Sequence, residues 1–413
     1  MNRHAIVLGA GMVGVSCALS LQKRGLQVTL IDRKPPGRET SYGNAGVISR
    51  ASIVPINGSS LWKNLPRYVG NRHPALRWRW RDMARNPGWI LRFLAQTRPS
   101  QLATRVAALD ALLKPAVGLH KTWMRDAGIS HRLRETGWLK LWRTDTGLAA
   151  AQAEQAMLAA RGITTHVLDR QGISGLEPHL KPIFPVGLLH ADTASVDEPG
   201  AVTEAYADLF VARGGTVLQS DILGLTRQAD GWQVCTSASE EQGDLVVLAL
   251  GPWSADLLRP LGLSVPFGVE RGYHRHYQPA QGARLSRPIY DVDAAYVLAP
   301  MAQGYRITSG VELAARDAAP DHAQIEAALP RAREAFDLGE SMDAKPWRGA
   351  RPTLPDSLPM IGEVKQQPGL FLAFGHQHIG FSTGPVTGEM VAALVTGEES
   401  IVDPTPFSPA RYL

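Results

Sequence analysis

Apolar residues fall in short runs that end on a glycine or an acid, and this pattern is clearest at the two ends of the chain. Ala5-Ile6-Val7-Leu8 is uninterrupted apolar sequence and reads as a buried strand. Val15 to Arg24 carries small residues along one side and reads as a helix, stopped by Gly25. Gln27-Val28-Thr29-Leu30-Ile31 predicts a second strand that ends on Asp32. Towards the other end, Leu370 to Gly375 reads as a strand, and a helix is expected from about Gly384 to Leu394, stopped by Gly397. Between these ends, Asp244 to Leu250 predicts a buried strand leading into a turn at Gly251. Tyr273-His274-Arg275-His276-Tyr277 alternates, so Tyr273, Arg275 and Tyr277 share one face of a strand. No internal repeat or low-complexity segment interrupts the pattern.

The junction of the first strand and helix is Gly9-Ala10-Gly11-Met12-Val13-Gly14, a G-x-G-x-x-G sequence. Gly9 allows a tight turn, Gly11 lets the backbone approach a pyrophosphate at the helix N-terminus, and Gly14 lets helix and strand pack closely. Asp32, 18 residues past the last glycine, can accept hydrogen bonds from a ribose, with Arg33 beside it. Strand, glycines, helix, strand and acid together predict a dinucleotide site; glycines serving packing alone leave Asp32 unexplained. Met1–Leu21, with Arg3 ahead of an apolar core, resembles a secretory leader, but the pattern resolves better as this unit; the apolar stretch Ala5–Leu21 contains three glycines and falls short of a spanning helix.

The fingerprint leaves nicotinamide and flavin dinucleotides open. Thr40-Ser41-Tyr42-Gly43-Asn44-Ala45-Gly46 then follows as a polar loop of small residues, either a plain surface loop or one that supplies donors to a flavin. Leu370 to Pro385 is a second glycine-rich passage from strand to helix, through His376-Gln377-His378-Ile379-Gly380. Such a turn concentrates backbone N–H groups and a positive dipole end, which suits the pyrimidine side of a flavin that becomes anionic on reduction. Both ends of the chain are therefore expected on one FAD.

At 413 residues, two or three domains, or one large domain with an insertion, are expected. Apolar content of 44 % and charged content of 20 % are those of an ordinary folded protein and exclude disorder, collagen and coiled coil. Two cysteines, Cys17 and Cys235, are not expected to build a disulfide scaffold or a four-ligand zinc site. No metal site is expected. A reduced, cytoplasmic compartment fits.

These blocks resemble the FAD-dependent amino-acid oxidoreductases of the D-amino-acid oxidase and glycine oxidase group, in particular the bacterial D-amino-acid dehydrogenase small subunits. The resemblance rests on Ile6 to Gly14, Ser41 to Ser49, Val196 to Pro199, Ala249 to Ser254, Gly349 to Asp356 and Phe374-Gly375-His376, in family order over nearly the whole chain. Gly375-His376-Gln377-His378 stands where the dehydrogenases usually show Gly-His-Gly. The resemblance implies an α/β fold: a discontinuous Rossmann-type FAD-binding domain (1–60, 145–258 and 346–413) and an α+β substrate domain on an antiparallel sheet (61–144 and 259–345). It implies non-covalent FAD held by Gly9, Ala10, Gly11, Met12, Val13, Gly14, Asp32, Arg33, Ser41, Asn44, Ala45, Gly46, Val47, Gly251, Gly375, Gln377, His378, Ile379 and Gly380, with Ile222, after the Gly214–Gln219 strand, holding the adenine.

The implied reaction is oxidative deamination of a D-amino acid or cyclic imino acid, by hydride transfer from Cα to FAD. Electrons would pass to a quinone or another acceptor. The alternatives are an oxygen-using amine oxidase of glycine or sarcosine type, or a flavoprotein subunit of a larger dehydrogenase complex. The chemistry requires an oriented substrate and no protein nucleophile. Arg351 matches the family's carboxylate-binding arginine, and a guanidinium grips a carboxylate bidentately; the alternative is a structural ion pair. Tyr296 either adds a hydroxyl to that carboxylate or is a core tyrosine. Tyr273 is a second pocket candidate. His376 either hydrogen-bonds the ring or substrate or packs.

The formal charge of +5 is local in origin. Leu61 to Arg98 holds nine basic residues and one acid, Asp82, with Trp62, Trp78, Trp80 and Trp89 interleaved. Two readings stand: a peripheral contact with the anionic inner face of a membrane, where the quinone lies, or a solvated helix face with tryptophans turned inward. No nucleic-acid-binding module is visible.

Overall fold

His4–Leu8 is the first strand in the computed structural model, which describes residues 3–55, 68, 70–280 and 282–413. It pairs in parallel with Gln27–Asp32 on one side and Leu245–Leu248 on the other. Thr216–Gln219 extends the sheet beyond Gln27–Asp32, and Leu370–Phe374 extends it beyond Leu245–Leu248; Met360–Glu363 closes the far edge as the one antiparallel member of six. These central strands are apolar on both sides because both faces are covered. A three-stranded meander, Ile222–Gln228, Gly231–Thr236 and Glu240–Gly243, covers one face with Leu225, Trp232 and Val234.

The other face carries two helices, Met12–Lys23 and Gly380–Thr396, at backbone contact. A Cβ on Gly388 would lie 2.4 Å from the Ser16 carbonyl oxygen, and one on Gly384 would lie 2.6 Å from Met12 Cγ. The second helix starts four residues earlier than the sequence pattern predicts. Pro385 within it has no N–H for the carbonyl of Phe381. His120 supplies the missing donor: its Nε2 lies 2.9 Å from that oxygen, while Nδ1 lies 3.0 Å from the Tyr206 hydroxyl. The helix thus continues back through the proline to Gly380, which sets its N-terminus where the sheet strands end.

The second sheet is mixed and larger. Gly268–Pro279 is its long strand, paired antiparallel with Gly304–Thr308, Val311–Leu313, Leu338–Ser341 and Trp347–Thr353. Tyr296–Met301, Ile289–Asp291, Trp138–Trp142, Val186–His190 and Thr165–Asp169 follow in order. Two pairings are parallel: Ile289–Asp291 with Trp138–Trp142, and Leu76–Trp78 with Val311–Leu313. Residues 165–190, grouped with the first sheet by sequence, contribute two strands here, since Val186–His190 finds its partner in Trp138–Trp142 across the helix Gly147–Ala159. One face packs on the helix Ala323–Ala335 around Tyr273, Tyr277, Tyr296 and Phe336. The opposite face lines a cavity through Gly272, Thr308, Trp347, Gly349 and Arg351.

The glycine contact makes a direct prediction. Gly388→Ala forces the two helices apart and is expected to lower the unfolding free energy by about 1–3 kcal/mol, read as a lower midpoint in chemical denaturation.

Candidate active site

A cavity of about 410 Å³ runs along the C-terminal ends of the first sheet and under the second. Gly9 begins it. Its φ of +108° and a Cβ position only 2.5 Å from the Ala249 carbonyl oxygen admit no side chain. Gly14 packs in turn on Gly9, its Cβ position 1.7 Å from the Gly9 carbonyl oxygen. Asp32 ends the next strand and closes the loop: Oδ2 accepts from the Ala10 amide at 2.7 Å and Oδ1 from the Lys34 amide at 3.0 Å. Burial pushes its carboxyl above the usual value, and these two amides oppose the shift. Arg33 lies 4.3 Å over the Trp253 ring and pairs with Glu39 at 2.8 Å.

The Ser41–Val47 loop lies across the helix start. Ser41 Oγ accepts from the Met12 amide at 2.9 Å, and Asn44 Oδ1 accepts from the Gly46 amide at 2.8 Å. Arg306, buried in the second sheet, holds this loop by donating to the carbonyls of Tyr42 (2.8 Å) and Asn44 (2.5 Å). His276 Nε2 accepts from Arg306 Nε at 2.9 Å, and its Nδ1 lies 3.0 Å from Asp343.

At the other end, Gln377 adopts φ +50° and its amide donates to the Pro352 carbonyl at 3.0 Å. Its side-chain Nε2 is buried at the cavity without a protein partner. Such a donor calls for an acceptor in the cavity. His376 lies beside it, 2.9 Å from Thr387 Oγ1, and burial lowers its pKa to about 3, so the ring is neutral at ordinary pH. Arg351 lines the cavity over Gly272, where a Cβ would sit 2.6 Å from its Nη2. Glu270, 1 % exposed, is its register partner on the neighbouring strand. Burial raises the Glu270 carboxyl, and Arg351 counters that rise.

Most residues expected to hold FAD line this cavity: Gly9, Gly11, Met12, Val13, Asp32, Arg33, Ser41, Asn44, Ala45, Val47, Ile222, Gly251, Gln377, His378, Ile379 and Gly380. Ala10, Gly14, Gly46 and Gly375 shape its backbone from behind. Arg351 and His376 are brought to the same cavity. Tyr296 is not: it is fully buried in the core on the opposite face of the second sheet, its hydroxyl 3.5 Å from the Arg331 carbonyl. Tyr273 borders the cavity, but its hydroxyl is engaged. It donates to Glu312 at 2.5 Å and accepts from Arg271 at 2.6 Å and the Asp321 amide at 3.0 Å. The sequence reading missed Trp347, Gly272 and Gly349, which line the cavity beside Arg351. The alternation over 347–351 was the available signal.

The structure fits an extended dinucleotide with a flavin. Two helix N-termini, at Met12 and Gly380, converge on one cleft; an acid stands at one end and an unpartnered amide donor at the other. Comparison with known proteins agrees. Residues 4–394 match the family described as DAO, FAD dependent oxidoreductase. The chain belongs to this family. A D-amino-acid oxidase of Bradyrhizobium diazoefficiens is 31 % identical to it, over 100 % of this chain and 99 % of that protein. A D-amino acid dehydrogenase of Rhizobium johnstonii is also 31 % identical, over 98 % and 99 %. Glycine oxidase from Geobacillus kaustophilus has the same fold, with a TM-score of 0.76 at 20 % identity and full coverage of both chains. This chain is thus an FAD-dependent oxidoreductase with the family's mixed α/β architecture.

Buried neutral histidines predict acid lability. Burial lowers His120 and His190 to about 4, His376 to about 3 and His274 to about 2. Unfolding restores each to about 6.5, so the unfolded chain binds more protons and stability is lost as pH falls from about 6.5 through these values. Each ring contributes a slope of about 1.4 kcal/mol per pH unit, against which the raised Glu270 and Asp32 act in the opposite sense. His376→Asn is expected to flatten the profile of unfolding free energy against pH by about one such slope between pH 6 and 4.

Proposed function

We propose that this chain oxidises a D-amino acid or a cyclic imino acid at Cα, with the α-carboxylate held by Arg351. The observation that carries this reading is a guanidinium lining the cavity above a glycine, backed by a buried carboxylate on the adjacent strand. The names of the relatives support the same substrate class. In this reading the six-stranded sheet carries the cofactor and the larger sheet presents the substrate. When bound, FAD supplies the acceptor for the hydride.

The chain's own groups do the rest. Gly9, Gly11 and the Met12 helix start receive the pyrophosphate, Asp32 the ribose, and Ile222 the adenine side. Gln377 Nε2 and the Gly380 helix start face the end where negative charge develops, and their fixed donors stabilise it. Arg351 orients the substrate so that Cα–H faces the cofactor, and the buried Glu270 on the adjacent strand offsets its charge. Neutral His376, tied to Thr387, is a fixed wall and hydrogen-bonding group rather than an acid. The amine sheds its proton before Cα is oxidised, and the imine formed is hydrolysed to a 2-oxo acid when it is acyclic.

We assign the electron acceptor to a quinone or another carrier at a membrane, reached through the 61–98 segment. Trp80 is 65 % exposed and Leu91 68 % exposed, with Arg81, Arg85 and Arg92 exposed around them. This pairing of apolar tips and cations suits an anionic lipid surface. Trp89 is turned inward, donating to the Thr353 carbonyl at 3.2 Å, and Trp78 donates to that of Tyr68 at 2.9 Å. Trp62 lies outside the described residues. No helix among the described residues is long and apolar enough to cross a membrane.

Three experiments test these readings. Anaerobic addition of D-amino acids, D-proline, glycine or sarcosine should bleach the visible flavin band with at least one D-substrate, and readmitted air then separates an oxidase from a dehydrogenase. Arg351→Ala should keep the yellow colour and lose about 3 kcal/mol of substrate binding, roughly a hundredfold in KM; normal turnover by that variant would sink the assignment. For the surface, the protein should sediment with anionic vesicles and not with neutral ones, and Trp80→Ala with Leu91→Ala should weaken that binding at least about tenfold.

A further inference from the structure

Trp347–Thr353 pairs with the long strand so that Glu270 faces Arg351, Gly272 faces Gly349 and His274 faces Trp347. All six positions lie on one face of the sheet. The two glycines leave the middle of that face bare, and the flanking side chains lie down over it from both ends. A Cβ on Gly272 would meet Arg351 Nη2 at 2.6 Å, and one on Gly349 would meet Trp347 Cη2 at 2.4 Å. Directly opposed positions are about 5 Å apart, so the guanidinium and the indole edge come within ~10 Å of each other across a glycine floor.

The indole is fixed where it lies. His274 stacks on it at 4.7 Å and 15°, Tyr42 meets it at 5.8 Å, and a Cβ on Gly43 would fall 1.8 Å from its Cζ3. Burial lowers His274 to about 2, so this stacking partner is uncharged at neutral pH. The acidic residues among the described lining, Asp32, Glu39, Asp221 and Asp256, belong to the other end, around Arg33 and Ile222. A cationic side chain beside Trp347 meets no counter-ion among them.

We infer that Trp347 determines side-chain specificity: with the carboxylate on Arg351, the reacting carbon lies over Gly272 and Gly349 and the substrate side chain ends on the indole. The substrate class is then α-amino acids with uncharged, apolar or aromatic side chains. The inference rests on the carboxylate role proposed for Arg351.

Calorimetric titration of the FAD-loaded protein with acetate and with phenylacetate tests it without turnover. Phenylacetate is expected to bind at least about tenfold tighter than acetate. Trp347→Leu should bring the two affinities within about twofold. Gly349→Ala, which displaces the indole without removing it, should do the same and guards against a folding defect in the first variant. Equal affinities in the unaltered protein, or an undiminished ratio in both variants, overturns the inference while leaving the role of Arg351 standing. Unchanged binding of both acids by Arg351→Ala, or no binding of either acid by the unaltered protein, overturns the Arg351 reading and this inference with it.

Discussion

Met12–Lys23 and Gly380–Thr396 touch backbone to backbone because Gly384 and Gly388 present nothing but hydrogen to Met12 and Ser16. From this contact the site follows. The helices belong to opposite ends of the chain, and each begins where a parallel strand ends. Held side by side, they point both positive ends into one cleft, where backbone donors and dipoles act together on negative charge. A wider separation, as any Cβ at Gly388 would require, moves one N-terminus off the cleft. His120 completes the arrangement by paying the hydrogen bond that Pro385 withholds, so that the second helix reaches the cavity.

The second sheet fastens to this frame through buried charge. Arg306 reaches from its strand to the carbonyls of Tyr42 and Asn44, and so fixes the loop that covers the cofactor cleft. Its neighbour His276 presents Nε2 as an acceptor because Nδ1 faces Asp343. On the cavity side Glu270 stands opposite Arg351 on the neighbouring strand, and the two buried charges offset each other without a direct hydrogen bond. Buried ion pairs bring little net stability, yet removing one partner leaves an uncompensated charge. For Arg306 the value is geometric: its hydrogen bonds hold the guanidinium in one place.

Much of this was legible in the sequence. Gly9, Gly11, Gly14 and Asp32 are read from spacing because each performs a local task within one strand–turn–helix–strand unit. The Gly375–Gly380 passage is legible for the same reason. Tyr273 and Tyr296 show where such reading stops. Alternation states which residues share a face; it does not state whether that face meets a cavity or a helix. On the 268–279 strand Gly272 opens onto the cavity, while Tyr273 and Tyr277 pack into the core formed with the helix Ala323–Ala335. The 165–190 strands joined the second sheet through a pairing that no local pattern records.

The sequence by itself determined the dinucleotide fingerprint, the family, and an arginine, Arg351, that lines the cavity, because short-range steric demands on glycine and fixed spacing to an acid leave few other solutions. Tertiary structure alone decided that Gly272 and Gly349 lie opposite each other, that Trp347 and Arg351 fold over them, and that Gly380 rather than Gly384 starts the last long helix. Those outcomes depend on strand register and on a donor, His120, that lies 261 residues from the carbonyl it satisfies. Contacts at that separation are set by packing of the whole chain and leave no mark in any local window of the sequence.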